Sequence, residues 1–218
     1  ASGGANLVNN ADKGRQIQQS YYAGNNVTAT NQCPAWSPWP WNPIMVGDCA
    51  GNASPVLTLA SGGGQMYART QPRLWDRNTN SVAQAYMEQW ISFHTTLSNV
   101  VIVDSKFTCF RDSGDEWGTG GTRDQELPAC YFVACLDTIQ SCTNSAPWQS
   151  GALATITNSF PWTRYTPTEQ WSACVNSNGW GAGVYTPVST ASLAGKAGSD
   201  TTCSTTSGST MYIAPLGR

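Results

Sequence analysis

Ala83-Gln84-Ala85-Tyr86-Met87-Glu88-Gln89-Trp90-Ile91-Ser92-Phe93-His94 is the stretch that decides the fold. Ala85, Met87, Gln89, Ile91 and Phe93 fall on one side of an extended chain. Gln84, Tyr86, Glu88, Trp90, Ser92 and His94 fall on the other. A period of two is the signature of a half-buried strand. Shorter runs of the same kind recur: Gly14–Tyr22, Val56–Leu59, Gln65–Thr70, Val100–Lys106, Ala129–Ala134, Trp171–Asn176, Gly183–Tyr185 and Met211–Ala214. Gly, Asn, Ser and Pro separate them. Val100-Val101-Ile102-Val103 is β-branched throughout, the pattern of a strand buried on both faces. Asn178-Gly179 predicts a two-residue hairpin joining 171–176 to 180–185. Thr190–Thr210, rich in Ser, Thr and Gly, reads as a long surface loop held by Cys203. No helical stripe, internal repeat or linker interrupts the series. The expected fold is all-β: one domain over 1–218, an antiparallel β-sandwich of two packed sheets stapled by disulfides.

Composition narrows the function. Charged residues make up 11% of the 218 residues, with a net charge of -2. An average soluble domain carries roughly 25%. Such a chain cannot build the basic surface that neutralises phosphates, so nucleic acid is not an expected partner. No apolar run approaches the roughly 20 residues of a membrane span, so a membrane is not expected either. Ser, Thr, Asn and Gln replace charge, beside 21 Gly, 12 Pro and 10 Trp. A neutral surface of hydroxyls and amides with abundant indole suits a protein that handles polysaccharide or oligosaccharide outside the cell. It equally suits a structural glycoprotein.

The eight cysteines are Cys33, Cys49, Cys109, Cys130, Cys135, Cys142, Cys174 and Cys203. Their number is even, and none lies in a zinc-type spacing, so four disulfides in a secreted protein are expected and no metal ligand set. The shortest loops favour Cys33–Cys49 and Cys135–Cys142. Asn26-Val27-Thr28 and Asn52-Ala53-Ser54 are glycosylation sequons, the second weakened by Pro55. The opening Ala1-Ser2-Gly3-Gly4-Ala5 has no basic or apolar leader and reads as a mature form after signal removal.

Three constellations could carry chemistry. In Cys33-Pro-Ala-Trp36-Ser-Pro-Trp39-Pro-Trp41-Asn-Pro43, prolines hold three indoles whose flat faces could stack on sugar rings or close over a sheet edge as a core lid. Asp48 would sit beside them if Cys33–Cys49 forms. Arg123-Asp124-Gln125-Glu126 precedes an apolar strand, with Glu126 and Gln125 expected near the face opposite Leu127. The loop before it, Arg111 to Trp117, is the densest acidic cluster. It is either a solvated loop or one holding a structural calcium ion, although its spacing matches no calcium loop. No other cofactor is expected. In Trp162-Thr-Arg164-Tyr165-Thr-Pro-Thr168-Glu169-Gln170-Trp171, Glu169 enters a strand near Trp180. Glycoside hydrolysis needs two carboxyl groups about 5–5.5 Å or about 6.5–9.5 Å apart. Glu126 and Glu169 are the candidate pair. A lyase would need a base such as a Tyr or His94, with Arg15, Arg123 or Arg164 neutralising a uronate. Trp36, Trp39, Trp41 and Trp180 would form the stacking platform. The competing reading is a non-catalytic glycan-binding or structural module with the same aromatics.

These segments together resemble a group of secreted bacterial and fungal proteins of glycan-degrading loci. The resemblance rests on Asn9 to Tyr22 (NNADKGRQIQQSYY), Trp36 to Asp48, Gln125 to Tyr131 (QELPACY), Phe160 to Arg164 (FPWTR), Thr168 to Ala173, Asn178 to Tyr185 (NGWGAGVY) and Tyr212 to Leu216 (YIAPL). The opening Gly14-Arg15 strand is similar to the start of galactose-mutarotase-like supersandwich domains, which implies that sandwich class. The group implies no settled activity. It often has His where this chain has Asp124, and its members run past the YIAPL segment into further strands. That difference implies either a fold that closes without them, or self-assembly or a partner strand at a truncated C-terminal edge.

Overall fold

The computed structural model describes residues 6–22, 42–75, 82–110, 124–143, 153–157, 159–160, 162–187 and 191–217. Among these there is no helix, and the strands form antiparallel sheets. The all-β reading is therefore correct. The chain packs as two compact units, Gln19–Arg123 and Ser2–Gln18 with Asp124–Arg218.

In the first unit β1 (Ile17–Ser20), which the division cuts after Gln18, pairs through Ser20 with Ile44 of β2 (Pro43–Ile44). A four-stranded meander follows. β3 (Val56–Gly62) and β4 (Gln65–Thr70) form a hairpin, closed at Gly62 and Gln65. Gly63 and Gly64 have φ of 58° and 78°. Two consecutive positive φ values match the right-handed strand twist and are open to glycine at no steric cost. β5 (Arg73–Leu74) pairs with β2. β6 (Ala85–Phe93) pairs with β4 on one side and with β7 (Val101–Cys109) on the other, giving the order β3-β4-β6-β7. The alternation read from 83–94 holds over Ala85–Trp90, where Ala85, Met87 and Gln89 are buried and Tyr86, Glu88 and Trp90 half-buried; it lapses beyond, with Ile91 half-buried and Phe93 exposed. Leu74, Ala83 and Ala85 pack together with Phe107, and Tyr21 stacks on Phe107 with ring centroids 3.9 Å apart. Burial pushes the Tyr21 phenol up to about 12.

The expectation for Val100–Val103 fails. β7 is an edge strand, and Val101 and Ile102 are exposed. A β-branched run favours extended backbone but does not fix what covers it.

The second unit is a sandwich of two sheets. β8 (Gln125–Val133) belongs to the first sheet. β9 (Thr138–Ser141), β10 (Ala154–Ile156), β12 (Trp171–Val175) and β13 (Gly181–Tyr185) form the second, in the order β10-β9-β12-β13. The first sheet continues with β11 (Thr163–Tyr165), β14 (Ala191–Ala197) and β15 (Thr210–Gly217), in the order β11-β14-β15-β8. Cys130, Phe132, Val133, Ala194, Met211 and Ile213 of one sheet face Ile139, Ile156 and Cys174 of the other. Burying such side chains stabilises the unit by roughly 1.5–3 kcal/mol each.

Several expectations are corrected here. The 190–210 span is not all loop, because Ala191–Ala197 forms β14. Its small residues fit a crowded position: a Cβ on Gly195 would collide with the Ser159 carbonyl and the Trp162 indole. The hairpin at Asn178-Gly179 exists, but its loop is longer than two residues. Asn176 N donates to Trp180 O at 3.0 Å, and the Asn176 side-chain oxygen accepts from Asn178 N and Trp180 N. Cys135 pairs with Cys203 rather than Cys142, and that bond pins the 198–209 loop. Two cysteines close in sequence can point apart when a strand begins between them. Cys49 is disulfide-bonded, and its expected partner Cys33 lies outside the described residues. Cys130 and Cys174 are thiols in this structure. The C-terminal strand β15 lies between β14 and β8.

Gly195→Ala should destabilise the protein by about 1–3 kcal/mol, the usual cost of overpacking. Urea unfolding followed by circular dichroism reads this as a lower midpoint at unchanged slope.

Candidate functional site

The polar face of the β3-β4-β6-β7 sheet carries the best-assembled group of functional side chains. In antiparallel pairs, directly opposite residues share a face. The registers Tyr67↔Trp90↔Asp104 and Arg69↔Glu88↔Lys106 therefore place six side chains side by side in two rows. Ala60 and Thr58 of β3 extend the rows with small side chains. The rows lie about 7 Å apart along the strands.

The aromatic row centres on Tyr67 and Trp90, whose ring centroids are 5.0 Å apart at 37°. Both rings are half-buried. In the charged row the Tyr67 hydroxyl donates to Glu88 Oε1 at 2.6 Å, and Lys106 Nζ lies 3.6 Å from Glu88 Oε2. The Arg69 guanidinium lies 3.8 Å from the centroid of the Tyr86 ring, a cation-π contact that holds it flat against the sheet. The bond from Tyr67 holds the Glu88 carboxyl below its ordinary 4.5, helped by the Lys106 and Arg69 cations. The same bond raises the Tyr67 phenol. Glu88 is thus an ionised acceptor and Tyr67 a neutral donor at neutral pH. Neither suits a general acid of the glycosidase kind, which needs a carboxyl raised rather than lowered. Two cations and two carboxylates balance across the face.

The carboxylates and cations expected from sequence stand elsewhere. Glu126 is buried on β8, 4% exposed, opposite Leu216. Glu126 rather than Leu127 is the buried member of the pair, in a stretch of β8 where the register with β15 shifts between Ile213 and Leu216. Glu169 is buried before β12, 9% exposed, and its Oε2 accepts from Trp171 Nε1 at 2.8 Å. Glu126 thus lies in a strand of one sheet and Glu169 just ahead of a strand of the other. His94 follows β6, and its Nδ1 accepts from the backbone N–H groups of Thr96 and Leu97, each at 3.2 Å. The ring caps the turn that returns to β7.

Arg15 pairs with Asp12 at 3.0 Å and donates to the carbonyls of Ser207 and Gly208, tying two loops together. Arg164 pairs with Asp124 at 3.1 Å. Asp48 is buried and accepts from Ala50 N, Asn52 N and Asn52 Nδ2, so it shapes the 48–52 turn. The amide of the second sequon is engaged in that turn, and Ser54 Oγ donates to Ile44 O. Trp180 is half-buried against the sandwich core. Trp36, Trp39, Trp41, Arg123, Asn26 and the 111–117 acidic cluster lie outside the described residues. No group of three His, Cys, Asp or Glu side chains that could hold a metal ion occurs among the described residues.

Sequence reasoning placed Tyr86, Glu88 and Trp90 on one side of a strand but did not weigh them as a site. Tyr67, Arg69 and Lys106 come from other strands, and only the register brings them in. The cross-strand spacing of β4, with Tyr67 and Arg69 two residues apart, was the available signal.

The Glu88 ion cluster should respond to acid. A lowered folded pKa contributes stability above the ordinary value, and this is lost as pH falls through the folded one. The difference in Tm between wild type and Tyr67→Phe should therefore be largest near neutrality and shrink as pH drops below 4.5. A difference that grows in acid would contradict the assignment. No family model matches this chain, and neither a curated protein nor a solved structure matches it.

Proposed function

We propose that this is a secreted glycan-binding protein that holds an uncharged oligosaccharide on the Tyr67–Trp90 face. The observation that carries the reading is the adjacency of a half-buried aromatic pair to a row of fixed polar groups on an open sheet. A pyranose ring offers one face of C–H bonds and an equator of hydroxyls. The C–H face suits the flat indole and phenol. The hydroxyls suit Glu88 as acceptor, and Arg69 and Lys106 as donors. Net neutrality of the face favours a neutral sugar over a uronate or a phosphate. Secretion is supported by the Cys135–Cys203 disulfide and the low charge of the chain.

Binding is favoured over cleavage by the state of the carboxyl groups. Direct double-carboxyl hydrolysis needs two carboxyls reaching one glycosidic bond, one of them protonated. Glu126 and Glu169 are both buried, and Glu88 is held ionised.

Binding of the purified protein to a panel of plant, algal and fungal polysaccharides tests the reading. Trp90→Ala should weaken retention by about tenfold or more, the equivalent of roughly 1.4 kcal/mol. Glu126→Gln and Glu169→Gln should leave it unchanged. Release of oligosaccharide product that depends on Glu126 or Glu169, or binding indifferent to Trp90→Ala, would overturn it.

A further inference from the structure

We propose that Cys130 and Cys174 are a covalent modification site: oxidation by a disulfide donor joins them into a bond that links the two sheets of the second unit through its core. Cys130 lies on β8 of one sheet and Cys174 on β12 of the other. Both belong to the same buried cluster, at 1% and 0% exposure. Both are thiols in this structure. Their placement is that of an inter-sheet staple, since each side chain points from its own sheet into the layer that the sheets share. Their neighbours in that layer are apolar, among them Ile213 beside Cys130 and Ile139 beside Cys174.

The environment sets when the bond can form. Burial pushes both thiols up; the Glu126 carboxylate adds to the rise at Cys130, and Cys130 adds to the rise at Cys174. Thiolate is the attacking species in disulfide exchange, so the closed sandwich does not react readily. Exchange belongs to a stage before the sheets close. One cysteine thiolate attacks the donor disulfide and releases one donor thiolate. The second cysteine thiolate then attacks the mixed disulfide and releases the other. One S–S bond forms and one breaks. The two cysteines are oxidised by two electrons, the donor is reduced to two thiols, and the two cysteine protons end on them. Once closed over, the bond is shielded from reductant by the same burial. Cys135–Cys203 differs, because Cys203 is exposed and Cys135 only half-buried.

Mass mapping of the full chain tests this without any variant. Protein from an oxidising secretory host is unfolded without reductant, alkylated and digested. The expected product is a Cys130 peptide joined to a Cys174 peptide, neither alkylated. A parallel sample treated with dithiothreitol while folded should keep that linkage and lose Cys135–Cys203. Alkylation of both Cys130 and Cys174 in the unfolded, unreduced sample, or linkage of either to another cysteine, would overturn the proposal. So would loss of the Cys130–Cys174 link before Cys135–Cys203 in the folded sample.

Discussion

The two-residue alternation of β6 is the constraint on which the functional surface depends. A pleated strand sends neighbouring side chains to opposite faces, and its partners in register must agree. β6 is flanked on both sides, so its choice of face fixes β4 and β7. A slip of one residue would bury Glu88 and Trp90 and expose Met87. Met87 is fully buried, and its loss from the core would cost a few kcal/mol. The packing of one face therefore fixes the chemistry of the other.

That second face is built by cross-strand neighbours rather than by a loop. Tyr67, Glu88 and Lys106 lie on three strands, and each bond between them also holds the sheet together. Groups held this way lose little freedom when a ligand arrives, which lowers the entropic cost of binding. The far end of the apolar face differs: Leu59 and Phe93 are 69% and 71% exposed. The sandwich of the second unit is built the other way, with its most regular packing between sheets and its polar residues tied into loops. Arg15, Asp48 and His94 illustrate, in both units, how polar side chains in a chain poor in charge are used to fix turns.

Much of the fold was legible because period two is local. The strands at 65–70, 83–94 and 171–176 could be read from their own residues, and so could the hairpin at Asn178-Gly179. What stayed hidden depends on distant partners. β14 contains Ala, Ser, Gly and Lys, poor strand formers, and exists because β15 and β11 pair with it on both sides. Cys135 finds Cys203 only once the 198–209 loop is placed. Glu126 and Glu169 were singled out by their position near apolar strands, but a carboxylate beside a strand is as easily tucked into structure as aimed at a substrate. Glu88 sat in plain view within the deciding segment. Its role emerges only from the register that brings Tyr67 and Lys106 to its two sides.

The central claim is that Trp90 meets the sugar. Proton–nitrogen correlation spectra of the tryptophan indole N–H groups, recorded during titration with oligosaccharides from a bound polysaccharide, test it most directly. The account predicts a saturable shift of the Trp90 signal, with the Trp171 indole, bonded to Glu169, unmoved. A Trp90 signal that stays fixed while the protein saturates with sugar would contradict it.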